Sequence, residues 1–249
     1  MTATLAQPSP EIDADVVLDA LDWAVAPPKP ARRWGRRILR LVVGFVAVLV
    51  IGNLVIVAAH GYARSNMSGA PVEVPADVAA IRNFEAVDAT LGRGGAPSVA
   101  DYRALAAAGV TTVVDLRAEH GLNIPTELLD ELGVTRVAIP IRDGQTPTTA
   151  QVERFLAAVE GSDGPVYLHC GAGVGRTGTM AAAYAVARGG SGWEAMRANL
   201  AVGPPSLEQL AFAISLDTGE RVTRPNPAIV AVSRTLDAPR RIWKAVEGL

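Results

Sequence analysis

The only cysteine of the chain, Cys170, lies in the run His-Cys-Gly-Ala-Gly-Val-Gly-Arg-Thr-Gly at residues 169–178. The small residues after it let successive backbone N–H groups turn inward and form a nest for an anion. Arg176 can close that nest with two parallel hydrogen bonds to a phosphoryl group. Because the same groups stabilise a thiolate, the run predicts a phosphate-binding loop with a cysteine nucleophile at its base.

The segments on either side of the loop fit this interpretation. Residues 165–168 are typical of a buried strand, and a helix pattern begins at Arg176. The loop would then lie at a helix N-terminus, where the helix dipole favours anions. A lone cysteine is otherwise most often a small apolar core residue. Here the strand, the glycine-rich turn, the arginine and the neighbouring Thr177 hydroxyl together favour phosphate chemistry.

The spacing of residues 169–178, HCx5RTG, resembles the signature of the cysteine-dependent protein tyrosine and dual-specificity phosphatases. Residues 91–97 and 109–117 are similar to segments of compact bacterial and fungal phosphatases of this kind, and the chain resembles the bacterial membrane-anchored type. The resemblance covers about residues 80–218. It implies hydrolysis of phosphomonoesters. The predicted phosphate-binding residues are Gly171, Ala172, Gly173, Val174, Gly175 and Arg176.

Cleavage of a phosphomonoester also needs an acid that protonates the leaving oxygen. Asp143 is the first candidate, because it follows a β-rich run and lies in a loop bounded by Pro140 and Pro147. The resemblance implies a general acid about this far before the cysteine. An ordinary turn aspartate before glycine is the alternative for Asp143. Asp115, at the end of a predicted strand, is the second candidate, although the resemblance implies a structural pairing there.

These residues predict a two-step mechanism. Cys170 attacks phosphorus while Asp143 protonates the leaving oxygen, and Arg176 with the backbone N–H groups of the loop holds the phosphoryl group. Water activated by the ionised Asp143 then hydrolyses the cysteinyl-phosphate. We expect Thr177 to donate a hydrogen bond to the departing thiolate, and His169 to orient the loop and help hold the cysteine ionised.

His169 has a simpler alternative as a satisfied core histidine. The other histidines, His60 and His120, are isolated in the sequence, so we expect no metal site and no cofactor. The formal net charge of −2 gives no electrostatic support for nucleic-acid binding.

An uncharged apolar run occupies residues 41–59, with Asn53 as its one strongly polar residue. At 1.5 Å per residue it is close to the ~30 Å thickness of a bilayer core, so we predict a transmembrane helix. Six of the twelve residues from Lys29 to Arg40 are basic, whereas Arg64 is the only lysine or arginine in residues 41–81. The positive-inside rule then predicts a single-pass protein of the cell membrane with a cytoplasmic N-terminus and an extracytoplasmic catalytic domain.

Two alternatives to a permanent anchor stay open: a cleaved signal sequence and a buried core helix. The sequence divides into a disordered, basic-ended cytoplasmic tail (1–40), the transmembrane helix (41–59), a linker (60–80), a phosphatase domain (81–219) and a C-terminal appendage (220–249).

Strand and helix patterns alternate through the phosphatase domain, which predicts an α/β fold with a central, mostly parallel sheet flanked by helices. Strands are expected at residues 110–116, 135–139 and 166–169, and helices at residues 98–108, 125–132, 148–160 and 176–187, with two more after Ser191 and Ser206. In such folds the site lies at the carboxyl ends of the strands.

The loop holds no cation besides Arg176, which favours phosphotyrosine or another simple monoester, in a protein or a small molecule, over an inositol polyphosphate or a phosphoinositide. Arg93, Arg117 and Arg142 could still converge on the pocket and reverse that preference. Two other classes stay open, namely a catalytically silent phosphate-binding module tethered at a membrane and a sulfur-transfer enzyme with a cysteine in an anion loop.

Overall fold

The computed structural model describes residues 32–65, 72–119, 124–218 and 226–247. Contacts divide the chain into two units, residues 1–50 and residues 51–249. The predicted disorder of the tail falls mostly on residues outside the described ranges, as does His120.

A five-stranded sheet forms the centre of the second unit, in the order β1-β2-β5-β3-β4. The strands are β1 (Glu85–Ala86), β2 (Leu91–Gly94), β3 (Thr112–Arg117), β4 (Thr135–Ile141) and β5 (Val166–His169). The pair β1 and β2 is antiparallel, and the other three pairs are parallel. The predicted α/β fold with a mostly parallel sheet is therefore confirmed, and β5 lies between β2 and β3.

Alternation along the strands separates two cores, because successive side chains point to opposite faces of a sheet. Val114 and Leu168 pack on one face with the helices that flank the cysteine loop. Val113 and Tyr167 pack on the other face with the helices that precede β3 and β4. Both faces of β3 and β5 are buried, which explains why neither strand alternates apolar and polar residues in the sequence.

The helices of the second unit cover both faces of the sheet. They are α2 (Ala76–Ala79), α3 (Val99–Ala107), α4 (Thr126–Glu131), α5 (Thr149–Glu160), α6 (Gly175–Ala187), α7 (Gly192–Val202), α8 (Leu207–Ser215) and α9 (Pro227–Glu247). Ser98, Thr148 and Ser206 each begin a helix with a reciprocal capping box, as their sequences predict. At the start of α7, the Asp217 carboxylate accepts hydrogen bonds from the N–H groups of Gly192 and Trp193.

The N-terminal helix α1 (Arg32–Ser65) has 34 residues and contains the apolar run predicted to span a membrane. Its most apolar 18-residue window has a mean hydropathy of 2.9, and none of that window is buried. A core helix of a soluble domain would be largely buried, so the exposure favours a membrane span or a signal sequence over the core-helix alternative.

Two of the segments predicted outside the phosphatase domain contain helices. Helix α1 continues to Ser65 and α2 begins at Ala76, so part of the predicted 60–80 linker is helical. Val78 and Ile81, at the predicted start of the phosphatase domain, are both buried. The C-terminal appendage contains α9, which packs against α8 and buries Ser233. The sequence pattern did not identify this contact, because α9 is joined to the rest of the fold by long-range packing.

Candidate active site

Four loops meet at the carboxyl edge of the parallel strands. The cysteine loop, residues 170–176, follows β5 and leads directly into α6. Asp143 follows β4, Glu119 follows β3, and residues 95–96 follow β2. Because β5 is the central strand of this group, the cysteine loop lies between the loops that carry the other groups.

Cys170 lies at the base of the loop and is 3% exposed. The N–H of Gly173 donates a hydrogen bond to the sulfur at 3.3 Å. Burial alone would raise the pKa of the thiol, but the Thr177 hydroxyl, the charge of Arg176 and the N–H groups of Thr177 and Gly173 outweigh it and lower the pKa below its ordinary value. The environment therefore favours a thiolate.

The Thr177 side chain is fully buried beside this sulfur. Its Oγ1 makes no hydrogen bond of standard geometry within the described part of the chain, yet the hydroxyl lowers the pKa of Cys170. A hydroxyl hydrogen rotates about the C–O bond, so it can point toward the sulfur.

The Arg176 guanidinium is hydrogen-bonded along one edge and open along another. Its Nη1 and Nη2 each donate to the Glu119 carboxylate at 2.7 Å, and Nη1 also donates to the Ile141 carbonyl at 3.0 Å. Its Nε is buried and has no partner among the described residues. A guanidinium has five N–H donors, so Nε and the second N–H of Nη2 remain as one edge that can bind two oxygens of a phosphoryl group.

Three successive carbonyl groups of the loop are held from outside by side chains. Arg82 donates to the carbonyl of Gly171, Asn83 donates to that of Ala172 at 2.8 Å, and Arg93 donates to that of Gly173 at 2.8 Å. A peptide unit whose carbonyl faces outward directs its N–H the other way, so these contacts help form the anion nest. Sequence reasoning missed Arg82, Asn83 and Glu119, since each reaches the loop from a distant part of the chain.

Asn83 pairs its contact with an unusual backbone, because its φ of 55° is the only positive value for a non-glycine residue in the described ranges. Asparagine tolerates this conformation better than most residues.

We expect Asn83→Asp to keep the backbone but place a carboxylate against the Ala172 carbonyl, which should weaken competitive inhibition by orthovanadate by about 10-fold. Asn83→Gly, which keeps the backbone freedom and adds no charge, should lose less. Equal inhibition constants for all three proteins would remove the assigned role.

Asp143 lies beside Arg176, and Asp115 does not. The Asp143 Oδ1 atom is 3.5 Å from Arg176 Nη2, and the side chain is 40% exposed. Asp115 is fully buried and accepts hydrogen bonds from Arg117 and Arg136. Burial alone would raise the pKa of Asp115, but those two arginines hold it well below the usual range, so it stays ionised. Geometry therefore favours Asp143 over Asp115 as a proton donor.

His169 does not fit the predicted electrostatic role. Its ring is fully buried, with Nδ1 3.3 Å from the Cys170 carbonyl oxygen and 3.9 Å from Asp115 Oδ1. Burial lowers the pKa of His169 to about 4 although Asp115 opposes the shift, so the ring is neutral at pH 7. A neutral ring cannot stabilise the thiolate by charge. The contact with the Cys170 carbonyl instead fits the loop-orienting part of the prediction.

Two of the arginines that could have served as additional phosphate ligands are already engaged. Arg93 is 2% exposed and donates to Gly173 and to Asn199 Oδ1, at 2.7 Å for the latter. Arg117 pairs with Asp115 at 2.9 Å. Arg142 is exposed next to Asp143. The inner surface of the loop therefore has Arg176 as its cation.

A nucleophilic thiol of lowered pKa in a backbone nest closed by an arginine, on this sheet, defines a cysteine-dependent phosphatase. The comparisons agree: the family model described as "DSP-PTPase phosphatase fused to NAD+ Kinase" matches residues 75–214, more than half of the chain, and the protein belongs to that family. The family resemblance inferred from the sequence is confirmed.

Known relatives match shorter stretches. The human dual specificity protein phosphatase CDC14C is 55% identical over 42 residues, which are 17% of this chain and 9% of that protein. The Caenorhabditis elegans tyrosine-protein phosphatase cdc-14 is 30% identical over 123 residues, 45% of this chain and 17% of that protein. The chain thus spans less than a fifth of the length of either relative.

Solved structures of similar fold include Tk-PTP in its active form. That structure is 23% identical in sequence and has a TM-score of 0.47 against this chain, and the match covers 55% of this chain and 97% of Tk-PTP.

Proposed function

We propose that this phosphatase is anchored in a membrane and removes phosphoryl groups from phosphotyrosine or other phosphorylated residues of proteins through a cysteinyl-phosphate intermediate. One observation carries the proposal. The N–H groups of Gly173 and Thr177 and the charge of Arg176, which has an open edge, act on a buried sulfur whose pKa is lowered. A phosphoryl group bound there would be held for in-line attack by the thiolate.

In the first step of the proposed reaction, the Cys170 thiolate forms the S–P bond as the P–O bond to the leaving group breaks. Asp143 gives its proton to the departing oxygen, and Thr177 stabilises the sulfur. In the second step, the Asp143 carboxylate takes a proton from water, the water oxygen attacks phosphorus, and the S–P bond breaks. Inorganic phosphate leaves, and the thiolate is restored with Asp143 protonated.

The membrane part of the proposal rests on α1. Its apolar window is long enough to cross a bilayer and is unburied. The basic cluster before it and the scarcity of basic residues after it support a cytoplasmic N-terminus and an extracytoplasmic catalytic domain. Trp34 and Tyr62 are 71% and 67% exposed and lie on either side of the apolar run 41–59, where interfacial aromatic residues are common.

Protein substrates are favoured because the cradle is built for one phosphoryl group. Arg176 is the cation of its inner surface, and Arg93 and Arg117 hold other parts of the protein. A substrate with several phosphates would leave its additional charges without partners in the cradle, and unpaired charge in a partly buried site is costly.

The substrate class is tested with the full-length protein in detergent micelles. Phosphate release is measured from phosphotyrosine and phosphoserine peptides, from a phosphoinositide in mixed micelles and from an inositol polyphosphate, with Cys170→Ser as the blank. Cys170-dependent release from the peptides, with at least about 10-fold higher kcat/KM than from the other two, supports the proposal. The reverse order assigns the site to inositol phosphates or their lipids, and no release from any substrate assigns it to a silent phosphate-binding module.

A further inference from the structure

Helix α9 lies beyond residues 75–214, the part of the chain that matches the phosphatase family, yet it packs against the active-site side of the domain. The helix begins directly after Asn226, whose Oδ1 accepts a hydrogen bond from the Ala228 N–H at 2.9 Å. Seven residues later, Ser233 is 2% exposed, and its Oγ accepts the N–H of Glu208 at 3.3 Å. A buried serine that caps a neighbouring helix is a specific contact and not a general apolar cover.

Glu208 connects α9 to the loop that carries Asp143. This residue lies in the first turn of α8 and is 5% exposed. Burial raises the pKa of Glu208, whereas the nearby charge of Arg234 in α9 and the Thr146 N–H lower it. Glu208 therefore lies between two elements: its backbone N–H bonds to Ser233 of α9, and its carboxylate is near Thr146, three residues after Asp143.

The same turn of α8 holds the two residues before Thr146. The Ser206 hydroxyl donates to the Gly144 carbonyl at 3.2 Å, and the Gln209 amide donates to the Gln145 carbonyl at 3.2 Å. Gly144 and Gln145 are thus held by two side chains from residues 206–209, and Thr146 lies near a third, Glu208. We call residues 142–147 the acid loop and residues 206–209 the clamp turn.

Helix α9 also lies near the acid loop. A Cβ atom added to Gly144, whose φ is +79°, would lie 3.8 Å from Asp237 Oδ2. One turn of α9, from Ser233 to Asp237, therefore contacts the clamp turn through Ser233 and lies near the acid loop at Asp237.

We infer that α9 is a positioning element for the general acid: through Ser233 and Glu208 it fixes the clamp turn, which in turn fixes the acid loop and Asp143. This inference rests on the proposed function, because it assigns α9 a part in the step that Asp143 performs. A general acid must lie within hydrogen-bond reach of the leaving oxygen, and a displacement of about 1 Å can cost up to about 100-fold in rate. Helix α9 acts through Asp143 and does not touch the substrate.

The alternative is that α9 only stabilises the fold. The two roles can be distinguished by comparing substrates with different leaving groups. The leaving group of an activated ester such as p-nitrophenyl phosphate needs little protonation, whereas phenyl phosphate releases an ordinary phenol with a pKa of about 10. Loss of stability lowers the amount of active protein equally for both substrates. Displacement of the general acid lowers kcat for phenyl phosphate selectively.

The experiment uses the full-length protein with Ser233→Leu, which removes the acceptor and forces a larger side chain between α9 and α8, and with the milder Ser233→Ala. Thr235→Ala is the matched control, because Thr235 lies on the exposed side of the same helix and bonds only to its own helix at Ala231. We expect Ser233→Leu to lower kcat for phenyl phosphate by about 10-fold and for p-nitrophenyl phosphate by less than about 2-fold, with KM unchanged. Ser233→Ala should show the same selectivity with a smaller loss of kcat, and Thr235→Ala should behave as the unmodified protein.

The decisive comparison repeats Ser233→Leu in the Asp143→Asn background. If α9 acts through Asp143, Ser233→Leu causes no further selective loss of kcat for phenyl phosphate in that background, because both substitutions remove protonation of the leaving oxygen. A full additional 10-fold loss in that background, or equal losses on both esters, overturns the inference and leaves the proposed function standing. If Asp143→Asn itself changes nothing, the acid assignment and the inference both fall. If Ser233→Leu does not fold, the selectivity of Ser233→Ala decides.

Discussion

Replacing Cys170 with serine is expected to abolish phosphate release from every substrate, with a loss of about 10⁴-fold or more. The thiol lies where Thr177, Arg176 and backbone N–H groups lower its pKa, so more of it is ionised at neutral pH than of an ordinary cysteine. A serine hydroxyl in the same place would keep its proton and attack phosphorus poorly. The cradle itself would be almost unchanged, because the substitution replaces sulfur with oxygen and leaves the loop backbone intact.

This expectation is checked by measuring turnover and ligand binding on the same protein. Cys170→Ser should lose turnover yet bind a phosphotyrosine peptide with an affinity within a few-fold of the substrate KM, because binding depends on the loop N–H groups and Arg176. Residual turnover above about one per cent would assign the nucleophile to another group. Lost binding as well would indicate that the cradle collapses without the sulfur.

The lowered pKa of Cys170 also gives a sign for the pH dependence. The thiolate is present above the pKa and is lost as the pH falls through it, so kcat/KM for an activated ester should rise with pH along an ascending limb below the ordinary thiol range near 8.5. Alkylation of Cys170 by iodoacetate reports the same ionisation without turnover, and its rate should rise over the same interval. His169 should not contribute a second limb near neutrality, since its pKa is lowered to about 4.

The parts of the site that could be predicted are those written in a few consecutive residues. The run at residues 169–178 specifies a strand end, a turn of small residues and a helix start, so local backbone preferences place Cys170, Arg176 and Thr177 in one loop. The same holds for the strands and helices, because apolar alternation and capping residues act over a few positions.

The parts that could not be predicted depend on long-range packing. Asn83 and Ala172 are 89 positions apart, and Glu119 and Arg176 are 57 positions apart. Asn83 looks like an ordinary turn residue in the sequence, and Glu119 like a solvated charge. Likewise, the serine that fixes α9 to Glu208 has no local signal. Residues that support a loop from outside become visible only when the topology places their segment next to it.

Asp143→Asn is expected to have the second-largest effect, and its size should depend on the leaving group. Asparagine keeps the shape of the side chain 3.5 Å from the arginine but has no acidic proton to give to the departing oxygen. General-acid catalysis contributes about 10²- to 10⁴-fold, so kcat for phenyl phosphate or a phosphotyrosine peptide should fall by about 10²- to 10³-fold. For p-nitrophenyl phosphate the loss should stay below about 10-fold, because its leaving group departs well as an anion.

The pH profile distinguishes the loss of the acid from general damage to the site. In the original protein, kcat/KM should fall at high pH because Asp143 must carry a proton for the first step, and this descending limb should disappear in Asp143→Asn while the ascending limb from Cys170 remains. Asp115→Asn serves as the contrast: it removes the buried partner of Arg117 and Arg136, so it should lower the melting temperature without changing the dependence on leaving group. If Asp143→Asn kept the descending limb, the proton donor would have to be another group at the carboxyl edge of the sheet. Glu119 would then be the next candidate, because it is the other carboxylate in contact with Arg176.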